Sequence, residues 1–178
     1  MVAAAVIFPA GFSDPRINDS KRLDARRRDA LVPVITGAAI AWAIAESSEA
    51  EIDAINILQA TLRAMERALA ALPVAPDYVL VDGSIMPGVV VPGEAVVGGD
   101  HRVACIAAAS ILAKVHRDGL MTAHHGRWPV YGFDRNKGYG TAAHIAALAG
   151  HGACPIHRRS FRRVPPASPP VGRNVPPG

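Results

Sequence analysis

The chain has 178 residues, of which half are apolar and only 5% are aromatic, so it is long and apolar enough for one domain with a sizeable core. This excludes disorder along most of the length, and with only Cys105 and Cys154 present it also excludes a disulfide-built scaffold. The net charge of +4, carried mostly by arginine, permits a nucleic-acid partner but does not require one.

Membrane and export signals are weak. The longest apolar stretch, residues 103–115, is shorter than the roughly 20 residues of a membrane span and contains Ser110 and Lys114. No basic segment precedes the apolar run that starts at Val2, so a signal peptide is not expected. The two cysteines also lack the paired spacing of a zinc site. We therefore predict a protein of the reducing cytoplasm with no membrane segment.

Strands and helices alternate along the first half of the chain. An apolar run at 2–8 predicts a buried strand, and an amphipathic pattern from Asp24 to about Gly37 predicts a helix. Residues 37–46 predict a second strand. The serine pair at 47–48, with acidic residues directly after it, predicts the N-cap of a long second helix.

The second half continues the alternation. Residues 78–81 and 95–97 predict two short strands. Residues 101–124 predict a long helix, and a last helix begins at Thr141. Strands interleaved with helices indicate an α/β domain, which we place at residues 1–163. The proline-rich residues 164–178 predict a disordered tail.

Two aspartates stand where such a domain exposes functional groups. Asp82 directly follows the apolar run at 78–81, and it is either a ligand-binding carboxylate at a strand end or a turn residue. Asp100 follows two glycines and precedes a helix, where capping is the favoured interpretation over catalysis. Together the two carboxylates suit a hard cation such as Mg²⁺ or Mn²⁺, although two ligands alone do not define a metal site.

A glycine-flanked tyrosine is the next candidate. In the segment 137–141, Tyr139 lies between two glycines and offers a flat ring to a base or sugar, while Thr141 can cap the following helix. The alternative is a helix-entry turn with Tyr139 packed on the core.

Further polar residues suggest phosphate contacts. Ser20 and Lys21, in the loop 18–21, are suited to positioning a phosphate, although such loops are usually plain turns. Ser110 and Lys114 lie four residues apart and therefore on one helix face. They form a helical face that serves a groove, or they are simply the one polar strip of the helix; a nucleophile pair is a less favoured alternative.

Seven segments, in unbroken order over about residues 2–163, resemble the type 2 ribonuclease H family, whose bacterial members are ribonucleases HII. The segments are NDSK at 18–21, NILQAT at 56–61, VLVDG at 79–83, GD at 99–100, IAAASILAKV at 106–115, KGYGT at 137–141 and CPIHRRSF at 154–161.

The resemblance implies a ribonuclease H-like mixed sheet flanked by helices, and an endoribonuclease that hydrolyses the RNA strand of RNA/DNA hybrids or nicks duplex DNA at ribonucleotides. It implies two-metal-ion catalysis with Mg²⁺ or Mn²⁺, in which Asp82 is a metal ligand and Asp100 a further active-site carboxylate. Tyr139 would pack on the sugar beside the RNA-to-DNA junction. We expect a monomer that contacts nucleic acid and no membrane.

The sequence departs from the family in one respect. Members carry Asp-Glu-Ala-Gly-Arg-Gly on a first strand, which supplies two more carboxylates and a sensor of the ribose hydroxyl, and residues 1–178 contain no such motif. The first central strand is thus missing, and this chain is expected to be impaired. We favour a start placed too far downstream, with the motif encoded in frame upstream of Met1, over a truncated form or a disabled relative.

Two rival functions remain open. The first is a non-catalytic module that binds hybrids through Tyr139, Lys21 and the arginines. The second is another metal-dependent phosphoesterase whose site is built on Asp82 and Asp100. Binding and cleavage assays run side by side distinguish these from the endoribonuclease.

Overall fold

A computed structural model of the chain describes residues 1–18, 23–161 and 164. They fall into two compact units, Met1–Leu120 and Met121–Gly178. The extent of the predicted domain, residues 1–163, and the disordered state of the tail stay predictions. No helix in the described ranges is long and apolar enough to cross a membrane.

The first unit follows the predicted alternation of strands and helices. Its elements are β1 (Val2–Ile7), α1 (Ala25–Ala38), β2 (Ala41–Glu46), α2 (Glu49–Ala70), β3 (Val79–Asp82), β4 (Gly93–Val96), a 3₁₀ turn (Gly99–His101) and the start of α3 (Ala104–Arg127). Each predicted element is present, with ends that shift by up to four residues. The shifts are largest where glycine and alanine leave the local signal weak.

Side-chain caps fix the helix starts that the sequence indicates. The Asp24 carboxylate accepts the Arg27 amide at 2.8 Å and caps α1. Ser48 caps α2 in a reciprocal capping box, because its hydroxyl accepts the Glu51 amide while the Glu51 carboxylate accepts the Ser48 amide. The N-cap predicted at 47–48 is thereby confirmed.

Helix α2 is interrupted at Asn56, which the hydrophobic pattern does not predict. Asn56 adopts φ 67° and ψ 167°, outside the helical region. Its Oδ1 accepts the amides of Leu58 and Gln59 at 3.0 and 3.1 Å. Asn56 therefore caps a second helical segment, and this bonding offsets a backbone conformation that is unfavourable for a residue with a side chain.

The strands form two pairs of opposite type. β1 and β2 are antiparallel, with register from Val2↔Glu46 to Ile7↔Ala41. β3 and β4 are parallel, with register from Val79↔Gly93 to Asp82↔Val96. The predicted α/β class with mixed strand orientation is confirmed, but among the described residues the strands form two separate two-stranded sheets.

Helices cover both faces of β1. Val6 belongs to a buried cluster with residues of α1 and α3, among them Ile35 and Ile111, and Ala4 packs against the same cluster. Side chains alternate along a strand, so the buried Ala3 and Ala5 point to the opposite face, where α2 packs on β1 and β2. This part of the unit is thus a sheet between two helical layers.

A cavity of about 520 Å³ is lined by both β1 and β3. Its walls are formed by all of β1, by residues 78–82 of the β3 segment, and by mostly apolar residues of α2, of α3 and of the segment after α2. β2 occupies one edge of β1, and β4 occupies one edge of β3. Among the described residues, the other edges of β1 and β3 pair with no strand, and both strands line the cavity.

The second unit is built from short elements around the end of α3. They are a 3₁₀ turn (Pro129–Tyr131), α4 (Phe133–Asn136) and α5 (Ala142–His151). Thr141 caps α5 by accepting the His144 amide, as its place in the sequence predicts. The buried core consists of Met121, Tyr131, Phe133, Leu148 and Cys154.

Two buried histidines form a directed hydrogen-bond chain within this core. The Cys154 amide donates to His157 Nδ1 at 3.1 Å, so the proton of that neutral ring is assigned to Nε2. His157 Nε2 then donates to His144 Nε2 at 3.4 Å, and His144 Nδ1 donates to the Tyr131 carbonyl at 3.2 Å. If His157 bound a second ring proton, at Nδ1, that N–H would face the N–H of Cys154 and the hydrogen bond between them would be lost.

We expect this chain of bonds to make stability depend on pH. Burial and the neighbouring His144 lower the pKa of His157, and Arg159 acts in the same direction. A histidine whose pKa is lower in the folded state binds fewer protons there, so its stabilisation is complete above about pH 6.5 and is lost as the pH falls further. Denaturant melts of the whole chain between pH 8 and pH 5 should show this loss.

The matched comparison uses His157→Gln and His151→Gln. His151 is exposed and near the same core, so its replacement should keep the pH dependence, whereas His157→Gln should flatten it. Equal slopes for wild type and His157→Gln would show that this residue does not carry the effect.

Candidate active site

Asp82 lies at the end of β3, as the sequence predicts, and its side chain is exposed. The Gly99 amide donates to Asp82 Oδ1 at 3.0 Å. Directly after Asp82, the Gly83 amide bonds to the Val96 carbonyl at 3.1 Å, which continues the pairing with β4. The carboxylate is therefore attached to a backbone that is fixed on both sides.

Asp100 lies in the 3₁₀ turn that follows β4, and its side chain is 3% exposed. The interpretation of Asp100 as the N-cap residue of α3 is wrong, because that helix begins at Ala104. His101 Nε2 lies 3.6 Å from Asp100 Oδ1. Because a buried carboxylate is rare without compensating partners, Asp100 is not a solvated turn residue.

The hydrogen bond from Gly99 brings the two aspartates onto neighbouring segments. Gly99 directly precedes Asp100, so the amide that binds Asp82 belongs to the turn that carries the second carboxylate. Asp82 also lines the cavity beside β1. The two site residues that the sequence singles out are thus linked through one backbone group.

The two carboxylates suit an ion of the Mg²⁺ type, which does not need a full set of protein ligands. In the described part of the chain, no group of three or more His, Cys, Asp or Glu side chains is arranged to hold a metal. Mg²⁺ usually keeps several waters and binds through one or two carboxylates plus substrate phosphates. Asp82 and Asp100 supply that number of hard oxygen ligands.

Of the residues predicted to contact phosphate, the structure describes the two on α3, Ser110 and Lys114. Lys114 Nζ donates to Asp118 Oδ1 at 2.7 Å, and Arg28 lies 3.5 Å from the other oxygen of Asp118. Ser110 lines the same cavity as Asp82. Ser20 and Lys21 lie outside the described residues.

Tyr139 lies in the second unit, on the segment between α4 and α5. Its side chain is 59% exposed, so the interpretation that it packs on the core is wrong. Lys137 and Gly138 both have positive φ, and Asn136 Oδ1 accepts the Gly138 amide at 2.8 Å. This turn presents the tyrosine ring to solvent.

Sequence reasoning missed the role of Gly99 in the site. The pair of glycines before Asp100 is the available signal, and although the GD segment at 99–100 belongs to the family resemblance, the sequence assigns Gly99 no contact of its own. That the Gly99 amide meets Asp82, 17 residues earlier, depends on how the 3₁₀ turn packs against β3.

Comparison with known proteins identifies the family. The profile described as Ribonuclease HII matches residues 1–164. Ribonuclease HII of Dechloromonas aromatica (strain RCB) is 55% identical over 164 residues, which cover 92% of this chain and 84% of that protein. Ribonuclease HII of Pelodictyon phaeoclathratiforme (strain DSM 5477 / BU-1) is 53% identical over 168 residues, covering 91% and 82%.

A solved structure shares the fold at low identity. Ribonuclease H2 from Pyrococcus horikoshii OT3 superposes with a TM-score of 0.71 at 20% identity, covering 83% of this chain and 77% of that one. The fold is ribonuclease H-like. The chain belongs to the ribonuclease HII family, the type 2 ribonucleases H.

Proposed function

We propose that this protein is an endoribonuclease that hydrolyses the RNA strand of RNA/DNA hybrids, or nicks duplex DNA at ribonucleotides, by two-metal-ion catalysis with Mn²⁺ or Mg²⁺. The observation that carries the proposal is the link between Asp82 and the Gly99–Asp100 turn, inside a family match that spans residues 1–164. A monomer in the cytoplasm is part of the same proposal.

The carboxylates hold the divalent ions in this proposal. Such an ion lowers the pKa of a bound water and stabilises charge on the phosphoryl oxygens. Asp82 offers the oxygen that Gly99 does not bind, and the buried Asp100 offers a carboxylate shielded from bulk water. Low exposure strengthens the attraction between that carboxylate and a cation.

Other residues bind and orient the nucleic acid. Tyr139 presents an exposed ring on which the sugar beside the RNA-to-DNA junction packs. Ser20, Lys21, Ser110 and Lys114 contact backbone phosphates, which fixes register without reading sequence. Discrimination of RNA from DNA needs a contact to the 2′-hydroxyl.

We also propose that these 178 residues alone cleave slowly. Two carboxylates suffice for one hydrated ion, whereas two-metal catalysis needs a symmetric clamp on both the attacking and the leaving oxygen. In the family, the Asp-Glu-Ala-Gly-Arg-Gly motif supplies the other two carboxylates, and residues 1–178 do not contain it.

The test is a paired cleavage and binding assay on an end-labelled RNA/DNA hybrid. We expect slow cutting of the RNA strand that requires Mn²⁺ or Mg²⁺ and stops with a chelator, and no cutting of an all-DNA duplex. Binding should weaken steeply with salt, because phosphate contacts release counterions. Metal-dependent cutting of the all-DNA duplex would favour the general phosphoesterase.

The second candidate is a hybrid-binding module that does not cut. The exposed Tyr139 and the presence of only two site carboxylates among the described residues favour this module over a general phosphoesterase. Tight hybrid binding with no product at any metal concentration, in both this chain and a version carrying the acidic motif, would establish it.

A further inference from the structure

We propose that Gly99 is a positioning residue for Asp82, and that this position requires glycine because the side chain of Ile106 occupies the space of a β-carbon. The inference rests on the proposed metal-binding role of Asp82. Gly99 has no side chain, so it holds the Asp82 carboxylate in one orientation through its backbone amide.

The first observation is the bond itself. The Gly99 amide donates to Asp82 Oδ1 at 3.0 Å, and in the described part of the chain it is the one hydrogen bond to this carboxylate. Asp82 is exposed, so without the bond its side chain would rotate among its staggered positions. With one oxygen held, the other is left to bind an ion in a fixed direction.

The second observation is the close packing around Gly99. A β-carbon at this position would lie 2.5 Å from Ile106 Cδ1, and 3.4 Å from Ile106 Cγ2 and Val96 Cβ. Ile106 is 5% exposed and also lines the cavity beside β3, and its terminal Cδ1 must move before a β-carbon at residue 99 can fit. Gly99 has no positive φ, so space rather than backbone conformation excludes a side chain.

An added methyl group must therefore displace either Ile106 or the turn. A displaced turn moves the Gly99 amide away from Asp82 Oδ1. The hydrogen bond weakens steeply when its distance and angle depart from the observed values. Gly99→Ala should in this way release the Asp82 carboxylate although residue 99 never touches the ion.

The experiment measures Mn²⁺ binding to the whole chain by the broadening of backbone amide NMR signals around Asp82, well below the melting temperature. We expect Gly99→Ala to weaken binding about tenfold, the lower end of the loss seen when residues that orient metal ligands are replaced. Gly119→Ala is the matched control, since a β-carbon there meets nothing within 4 Å.

Rescue separates positioning from general destabilisation. Ile106→Val removes Cδ1, the atom in the way, and should leave Mn²⁺ binding unchanged when introduced alone. Combined with Gly99→Ala, it should restore most of the lost affinity, because the new methyl group then fits. If the 178-residue chain melts too low, the same variants are compared in a version that carries the family's first strand.

The outcomes separate the two proposals. If Mn²⁺ does not broaden the signals around Asp82 in the wild type, the metal role of Asp82 fails and the inference fails with it. If the wild type binds but Gly99→Ala binds equally well, or if Ile106→Val gives no rescue, the role of Gly99 alone is overturned.

Discussion

Asp82→Asn is expected to abolish cleavage of an RNA/DNA hybrid while leaving hybrid binding largely intact. The substitution keeps the size of the side chain, and the amide oxygen of asparagine can still accept the Gly99 amide. It removes the negative charge that a divalent ion needs. Replacing residues that merely orient metal ligands costs 10–100-fold, so loss of a ligand should lower the rate by more than about 100-fold.

The measurement compares single-turnover cleavage with binding measured in the presence of chelator. It is best made in a version that carries the family's acidic motif, where the wild-type rate is high enough to follow a large loss. Asp77→Asn is the matched control, because Asp77 is an exposed aspartate just before β3 and outside the site. Wild-type turnover in Asp82→Asn would remove Asp82 from the catalytic site.

The second large effect concerns stability. We expect the 178-residue chain to be poorly soluble, or to melt well below a version lengthened at its N-terminus by the family's first strand and acidic motif. The reason is the cavity of about 520 Å³ whose walls include β1 and β3. In the fold that the family resemblance implies, the first strand lies between β1 and β3, so an added strand is expected to pair with both and to replace empty space by packed side chains.

The size of the effect follows from the edges of β1 and β3 that pair with no strand in the described part of the chain. Each buried backbone group without a partner costs about 1–3 kcal/mol, and any that reach water leave an edge prone to aggregation. Three such groups amount to at least about 3 kcal/mol, against a total stability of roughly 5–15 kcal/mol. At about 2–4 °C per kcal/mol for a chain of this size, the two melting temperatures should differ by about 10 °C.

The control is a version lengthened by the same number of glycine and serine residues, which cannot fill an apolar cavity. Melting is followed with and without Mg²⁺, so that stabilisation by metal binding is separated from stabilisation by strand pairing. Equal melting temperatures for the chain and its strand-bearing version would instead indicate a domain adapted to the absence of that strand.

Local chemistry was enough to predict much of the fold. β1 and β3 were predicted from short apolar runs, and the start of α2 from Ser48 and the acidic residues that follow it. Such signals act between residues a few positions apart, so they can be identified from the sequence alone. The position of Asp82 at a strand end followed from the same reasoning, and the ordered motifs identified the family.

Only the tertiary structure decided the features that join distant residues. The sequence did not predict that the Gly99 amide meets Asp82, that His144 and His157 are buried together, or that Asn56 divides α2. These contacts depend on which elements pack against each other and on how much room their side chains leave. Helical and strand periodicity report which face of an element is apolar, but they do not report what covers that face.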